Sequence, residues 1–117
     1  ILDLELIPLK LSHPNFYHLD TCFCLLGHGV ARYHPGAFSP SALKKLRKHI
    51  PDLIPLDVTD ATMFACNSVV YGNNVLMPAG PQRIVKELDI RGYEVTQINT
   101  SEFLKSGGSL QCMTLWI

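Results

Sequence analysis

The sequence has no excess of charge of either sign: ten basic residues are matched by ten acidic ones over 117 positions. That balance leaves no electrostatic footprint for nucleic acid or for an anionic membrane surface, and favours a small, roughly neutral partner. No apolar run approaches the roughly 20 residues that a bilayer-crossing helix requires. Nothing resembles a secretory signal peptide, and no second CxxC-type pair accompanies Cys22-x-Cys24, so neither an exported disulfide scaffold nor a zinc module is indicated. Even with His28 or His34 nearby, Cys22 and Cys24 are expected to be small core residues on one side of a strand, and Cys66 likewise. The chain also lacks an initiator Met or a polar lead-in before Ile1, which suggests the back part of something longer. What it does contain is 47% hydrophobic residues, enough to bury the core of one domain without staples. The four cysteines are therefore expected to be free thiols in a reducing cytoplasm.

Along the chain, Ile1 to Leu9 alternates imperfectly and reads as a half-buried strand with Asp3 and Glu5 on its solvated face. A turn at Ser12-His13-Pro14-Asn15 precedes Phe16 to Leu26, which carries Tyr17, His18, Asp20, Thr21, Cys22 and Cys24. Gly27-His28-Gly29 turns the chain into a return strand, Val30 to Tyr33, closed by Pro35-Gly36. The period then changes. Ser39 or Ser41 caps a helix with Pro40 in its first turn and Leu43, Leu46 and Ile50 on one stripe; Lys44, Lys45, Arg47 and Lys48 form its solvated side. Pro51-Asp52 stops it, and Leu53 to Leu56 is a short strand whose ladder Pro55 limits.

The same order then recurs. Ser68 to Tyr71 is a β-branched run, Gly72-Asn73-Asn74 a hairpin turn, and Val75 to Met77 the return strand. Pro78 to Pro81 leads into a helix through about Arg91 with Ile84, Val85 and Leu88 inside, Gly92 ends it, and Tyr93 to Ile98 is a strand. The two halves repeat at roughly 40–45 residues, which defines a ββαβ unit occurring twice in an α/β fold. Fewer than three units rarely complete a repeat architecture, so residues 1–117 are expected to be one portion of a larger domain.

Two places concentrate chemistry. On a strand, His18 and Asp20 would point to the same face, as a proton shuttle with its carboxylate or as a paired core group. Near the end, Ser106-Gly107-Gly108 leads into Leu110 to Ile117, a β-type run in which Cys112 is either an inert core thiol or a nucleophile held where a loop becomes a strand. Asn67 is a turn or strand-edge residue holding the backbone rather than a catalytic one, and Tyr17 and Trp116 are packing groups near the site.

Phe16-Tyr17-His18-Leu19-Asp20-Thr21 together with Ser106-Gly107-Gly108 before Cys112-Met113-Thr114 resembles the guanidino-group-modifying superfamily, also called pentein or amidinotransferase-like. It includes arginine deiminase, dimethylarginine dimethylaminohydrolase, glycine amidinotransferase and arginine dihydrolases. The resemblance extends over essentially the whole chain, including Asn67-Ser68-Val69-Val70. It implies an α/β propeller of five ββαβ units, of which about two would be present here as the C-terminal portion of a catalytic domain. It further implies Cys112 as nucleophile on the guanidinium carbon, His18 as general acid/base, Asp20 as a carboxylate on the guanidinium nitrogens and Ser106 beside the substrate's amino-acid end. The family's other guanidinium-binding acids would lie upstream. The implied activity is cofactor-free hydrolysis of arginine or a related guanidino compound through an amidino-thioether. Amidino transfer through the same intermediate, and an inactive piece or interaction module, are the alternatives. A homo-oligomer is compatible with the sequence, and no metal is expected.

Overall fold

The computed structural model describes residues 3–117. Its first ββαβ unit comprises β1 (Phe23–Gly27), β2 (Val30–Tyr33), α1 (Pro40–His49) and β3 (Asp52–Pro55). β1 runs antiparallel to β2 through the glycine turn, and α1 carries the chain across so that β3 lies parallel to β2. A linking helix, α2 (Val58–Thr62), leads to the second unit: β4 (Val69–Tyr71), β5 (Asn74–Pro78), α3 (Gln82–Ile90) and β6 (Glu94–Ile98). Here too the first pair is antiparallel and the second parallel, giving sheets ordered β1-β2-β3 and β4-β5-β6. The doubled ββαβ pattern of the sequence is thus the architecture of the molecule.

Local chemistry explains the boundaries. Ser39 Oγ accepts from Ala42 N at 3.3 Å and Pro40 occupies the first turn of α1, satisfying one otherwise unpaired donor and presetting the backbone. Leu46 is buried while Leu43 and Ile50 are half-buried; Ile84 and Leu88 form the buried stripe of α3. α2 starts at Asp57, whose carboxylate accepts from Asp60 N at 2.8 Å. One core cluster is shared by the two units, with Cys24, Leu26 and Ile54 packed with Val75, Met77, Ile84 and Leu88. A second lies under α1, from Phe16, Cys22, Tyr33, Phe38 and Leu46.

Several expected strands are not strands. Ile1 and Leu2 lie outside the described residues; Asp3 to Leu9 joins no ladder, and Leu4 and Leu6 are exposed. This segment instead follows the loop before α1 through one bridge, Leu11 to Phe38, with Ser39 N donating to Lys10 O at 3.0 Å and Lys45 Nζ to Pro8 O at 2.8 Å. Residues 19–21 leave the extended state: His18 is still extended and precedes a 3-10 turn, Leu19–Thr21. That turn breaks the alternation, so Cys22 enters the cluster under α1 while Cys24 enters the shared one. They do not form a pair on one strand face. Leu110 to Ile117 contains a 3-10 turn, Gln111–Met113, and then irregular chain, because no neighbouring strand among the described residues offers it a ladder.

Candidate active site

Three distant segments meet at Cys112. A short helix, α4 (Ser101–Leu104), follows β6, and the loop after it is closed by a buried hydrogen bond of 2.9 Å between the Thr100 and Ser109 hydroxyls. Within that loop Gly107 takes φ +78, and a Cβ there would lie 2.9 Å from the Tyr17 hydroxyl. A Cβ on Gly108 would sit 3.3 Å from Cys112 Cβ and 3.6 Å from its sulfur. The glycines therefore allow the loop to lie against both Tyr17 and Cys112. Cys112 itself is exposed, at the centre of the terminal 3-10 turn.

The second segment supplies Asp20. Its Oδ2 lies 3.5 Å from the Cys112 sulfur, accepting from the thiol, while its Oδ1 is buried without a hydrogen-bond partner. The 3-10 turn fixes this carboxylate, since the His18 carbonyl accepts from both Thr21 N at 3.1 Å and Thr21 Oγ1 at 2.6 Å. The exposed His18 ring stands edge-on to Tyr17 at 4.8 Å between centroids, and Tyr17 in turn touches the Gly107 position. No hydrogen bond joins the His18 ring to Cys112 among the described residues. Ser106 is exposed and hydrogen-bonds through its amide, to Phe103 O at 2.9 Å; its side chain is not part of the sulfur's contacts.

The third segment is the residue whose chemistry the sequence reading left out. Asn67 is fully buried just before β4; its Nδ2 donates to the Cys112 sulfur at 3.2 Å and to Asp20 O at 3.3 Å, and its Oδ1 accepts from Cys112 N at 3.4 Å. The available signal was an uncharged amide inside Phe64-Ala65-Cys66-Asn67-Ser68-Val69-Val70, a stretch without the glycine or proline that marks a solvent-exposed turn.

Beside this cluster a cleft of about 410 Å³ is lined by the polar side chains of Asp20, Ser68 and Gln111 and by apolar ones including Leu25, Val70 and Trp116. Trp116 is near the site as expected, but 61% exposed rather than packed. The other three thiols are buried and chemically quiet. Burial pushes Cys22 from 9.0 up to about 12, and desolvation likewise raises Cys24 and Cys66, outweighing the lowering by Arg32 beside them. An exposed thiol, a carboxylate with an unused acceptor and an amide donor together can hold a cationic, multiply donating group next to a sulfur nucleophile.

No protein-family model matches the chain. It is 38% identical over all of its 117 residues to N(G),N(G)-dimethylarginine dimethylaminohydrolase of Mycobacterium tuberculosis, spanning 39% of that protein. It is 39% identical over 116 residues to the bifunctional arginine dihydrolase/ornithine cyclodeaminase AgrE of a Nostoc species, spanning 16% of it. Among solved structures, the product-bound N-terminal domain of the cyanobacterial arginine dihydrolase ArgZ superposes with TM-score 0.93 at 36% identity, over 97% of this chain and 42% of that one. A variant of the same domain, covalently bound to a reaction intermediate, matches equally well, with TM-score 0.93. The chain thus spans well under half the length of these relatives, and its two ββαβ units have the pentein fold.

Proposed function

The chain is homologous to dimethylarginine dimethylaminohydrolase and the arginine dihydrolases of the guanidino-group-modifying superfamily, and from that premise we propose that it carries the nucleophile part of a guanidino-hydrolase site. The substrate is arginine or a methylated relative, and the protein that contains this chain is an amidinohydrolase working without a cofactor. The observation that carries this reading is the Cys112 sulfur 3.5 Å from Asp20 Oδ2 while Asp20 Oδ1 is buried and unpartnered. A guanidinium supplies the missing donors, and its charge relieves the carboxylate beside the thiol.

The Cys112 thiolate adds to the guanidinium carbon to form a tetrahedral adduct. The C–N bond to the leaving amine then breaks as His18 delivers a proton to that nitrogen, and an amidino group remains bonded to sulfur. Water next adds to the amidino carbon while His18 takes its proton, the C–S bond breaks, and a urea-type product leaves with the thiolate restored. His18 lies two residues before Asp20 on the segment that faces Cys112, which supports this role; Ser106 is assigned by resemblance to the neighbourhood of the substrate's amino-acid end. The covalent intermediate captured on the ArgZ domain supports the same chemical route. The four unpaired thiols support a reducing compartment such as the cytoplasm.

The test is mass spectrometry of the protein after incubation with a haloacetamidine, a reactive guanidinium mimic. One adduct on Cys112, blocked by arginine or dimethylarginine and lost in Cys112→Ser together with turnover, is expected. An adduct or turnover that persists in Cys112→Ser overturns the nucleophile assignment.

A further inference from the structure

Asn67 spends both ends of its carboxamide on the site. Its oxygen accepts from the Cys112 amide at 3.4 Å, while its NH2 group reaches the Cys112 sulfur at 3.2 Å and the Asp20 carbonyl at 3.3 Å. One fully buried side chain therefore joins segments 45 and 47 residues away in sequence. Its own backbone is fixed: Asn67 N donates to Phe64 O at 2.9 Å, and Ser68 Oγ to Ala65 O at 3.1 Å. Phe64 sits at φ +59, an uncommon conformation for a residue with a Cβ, so the tight turn before β4 is held by its surroundings.

We infer that Asn67 is a positioning residue that aims the Cys112 sulfur and supplies a neutral N–H donor to it; the inference rests on Cys112 being the nucleophile proposed above. Asp20 touches the sulfur and disfavours a second negative charge there, and His18 lies two residues before it. Asn67, the other side chain that hydrogen-bonds the sulfur among the described residues, carries no charge. A neutral N–H donor favours thiolate over thiol without competing with a cationic substrate for Asp20. Lys or Arg in its place would raise thiolate content too, but would repel a guanidinium.

Asn67→Asp separates this role from a structural one. It retains an oxygen for the Cys112 amide and replaces the N–H donor to sulfur by a carboxylate oxygen. The readout is the pH profile of Cys112 alkylation by iodoacetamide in the folded protein, with turnover measured alongside. The profile is expected to move to higher pH, with alkylation at neutral pH about tenfold slower; kcat falls while KM changes little. Asn67→Ser, which removes the carboxamide without adding charge, is expected to shift the profile in the same direction, and provides the comparison if the aspartate variant does not fold. A profile coincident with the parent's in either folded variant overturns the inference. If Cys112→Ser retains turnover, the functional reading itself fails; if Cys112→Ser is inactive and the Asn67 variants alkylate normally, only the role of Asn67 fails.

Discussion

Asp20 divides its carboxylate between two tasks: Oδ2 accepts from the Cys112 thiol at 3.5 Å and Oδ1 is buried with nothing to accept from. Replacement by Asn keeps the shape and removes the charge, so its consequences at the sulfur and at the substrate are opposite. Loss of a charge-assisted contact to a guanidinium is expected to raise KM roughly 10- to 100-fold. Removal of the neighbouring negative charge should meanwhile make Cys112 alkylation by neutral iodoacetamide faster at a given pH. Alkylation and KM both unchanged in Asp20→Asn would mean that the carboxylate serves neither group. At this scale the sequence was informative where side chains have few roles. Cys112 and Asp20 could be matched to a motif from opposite ends of the chain, and the structure puts them in contact. Asn67 could not be found that way, because a buried amide serving backbone and a buried amide serving a thiol look alike until their partners are known.

The elements read from periodicity are those with a local cause. The glycine turns, the Ser39 cap and the apolar stripes of α1 and α3 each lie within a few residues of the structure they specify. The errors fall where pairing decides. Leu110 to Ile117 reads as a β-type run but has no ladder partner among the described residues, and Gln111–Met113 closes into a 3-10 turn with Cys112 exposed. α2 begins with the β-branched pair Val58 and Thr59, poor helix formers, and rests on its Asp57 cap and on Arg83, which meets Asp57 at 3.2 Å and Asp60 at 3.0 Å. The loop around Gly107 can be tested against another left-handed glycine. Gly72, at φ +58 in the second hairpin, has open space where a Cβ would go, whereas Gly107 has the Tyr17 hydroxyl 2.9 Å away. Gly72→Ala is therefore expected to cost about 1–2 kcal/mol in urea denaturation with turnover intact. Gly107→Ala adds the clash and displaces Tyr17 beside His18, so its turnover should fall by more than its stability explains. Equal turnover in the two variants would contradict a role for the Tyr17 contact.

At the scale of the molecule, the shared core binds the two ββαβ units together, and Arg91 adds a surface tie, from the end of α3 to Asp52 of β3 at 2.6 Å and to Glu87 at 2.8 Å. That core holds Cys24 and Cys66, the second cluster holds Cys22, and only Cys112 of the four is exposed. The distribution couples thiol chemistry to folding. Burial raises the folded-state pKa of all three buried thiols, Cys22 from 9.0 to about 12, so the native state keeps protons that the unfolded chain releases. A raised pKa contributes stability that is fully present below the unfolded value and is lost as pH rises through the folded one. At the acid end the carboxylates of α2 oppose each other. The Asp60 backbone amide holds Asp57 low, a contribution lost as pH falls, while burial and then Asp57 raise Asp60, a contribution lost as pH rises. The larger effect is therefore expected on the alkaline side: Tm declines above about pH 9, and the decline is shallower in Cys22→Ala and Cys66→Ala. Scanning calorimetry from pH 8 to pH 11 measures it, and each variant's slope is compared with the parent's because lysines and tyrosines titrate in the same range. Titration with a thiol-reactive disulfide at pH 8 gives the matching kinetic picture, with Cys112 reacting at once and the other three reacting only as the protein unfolds. An alkaline slope identical in parent and variants, or four thiols modified at one rate, would show that the buried cysteines do not separate the native state from the unfolded one.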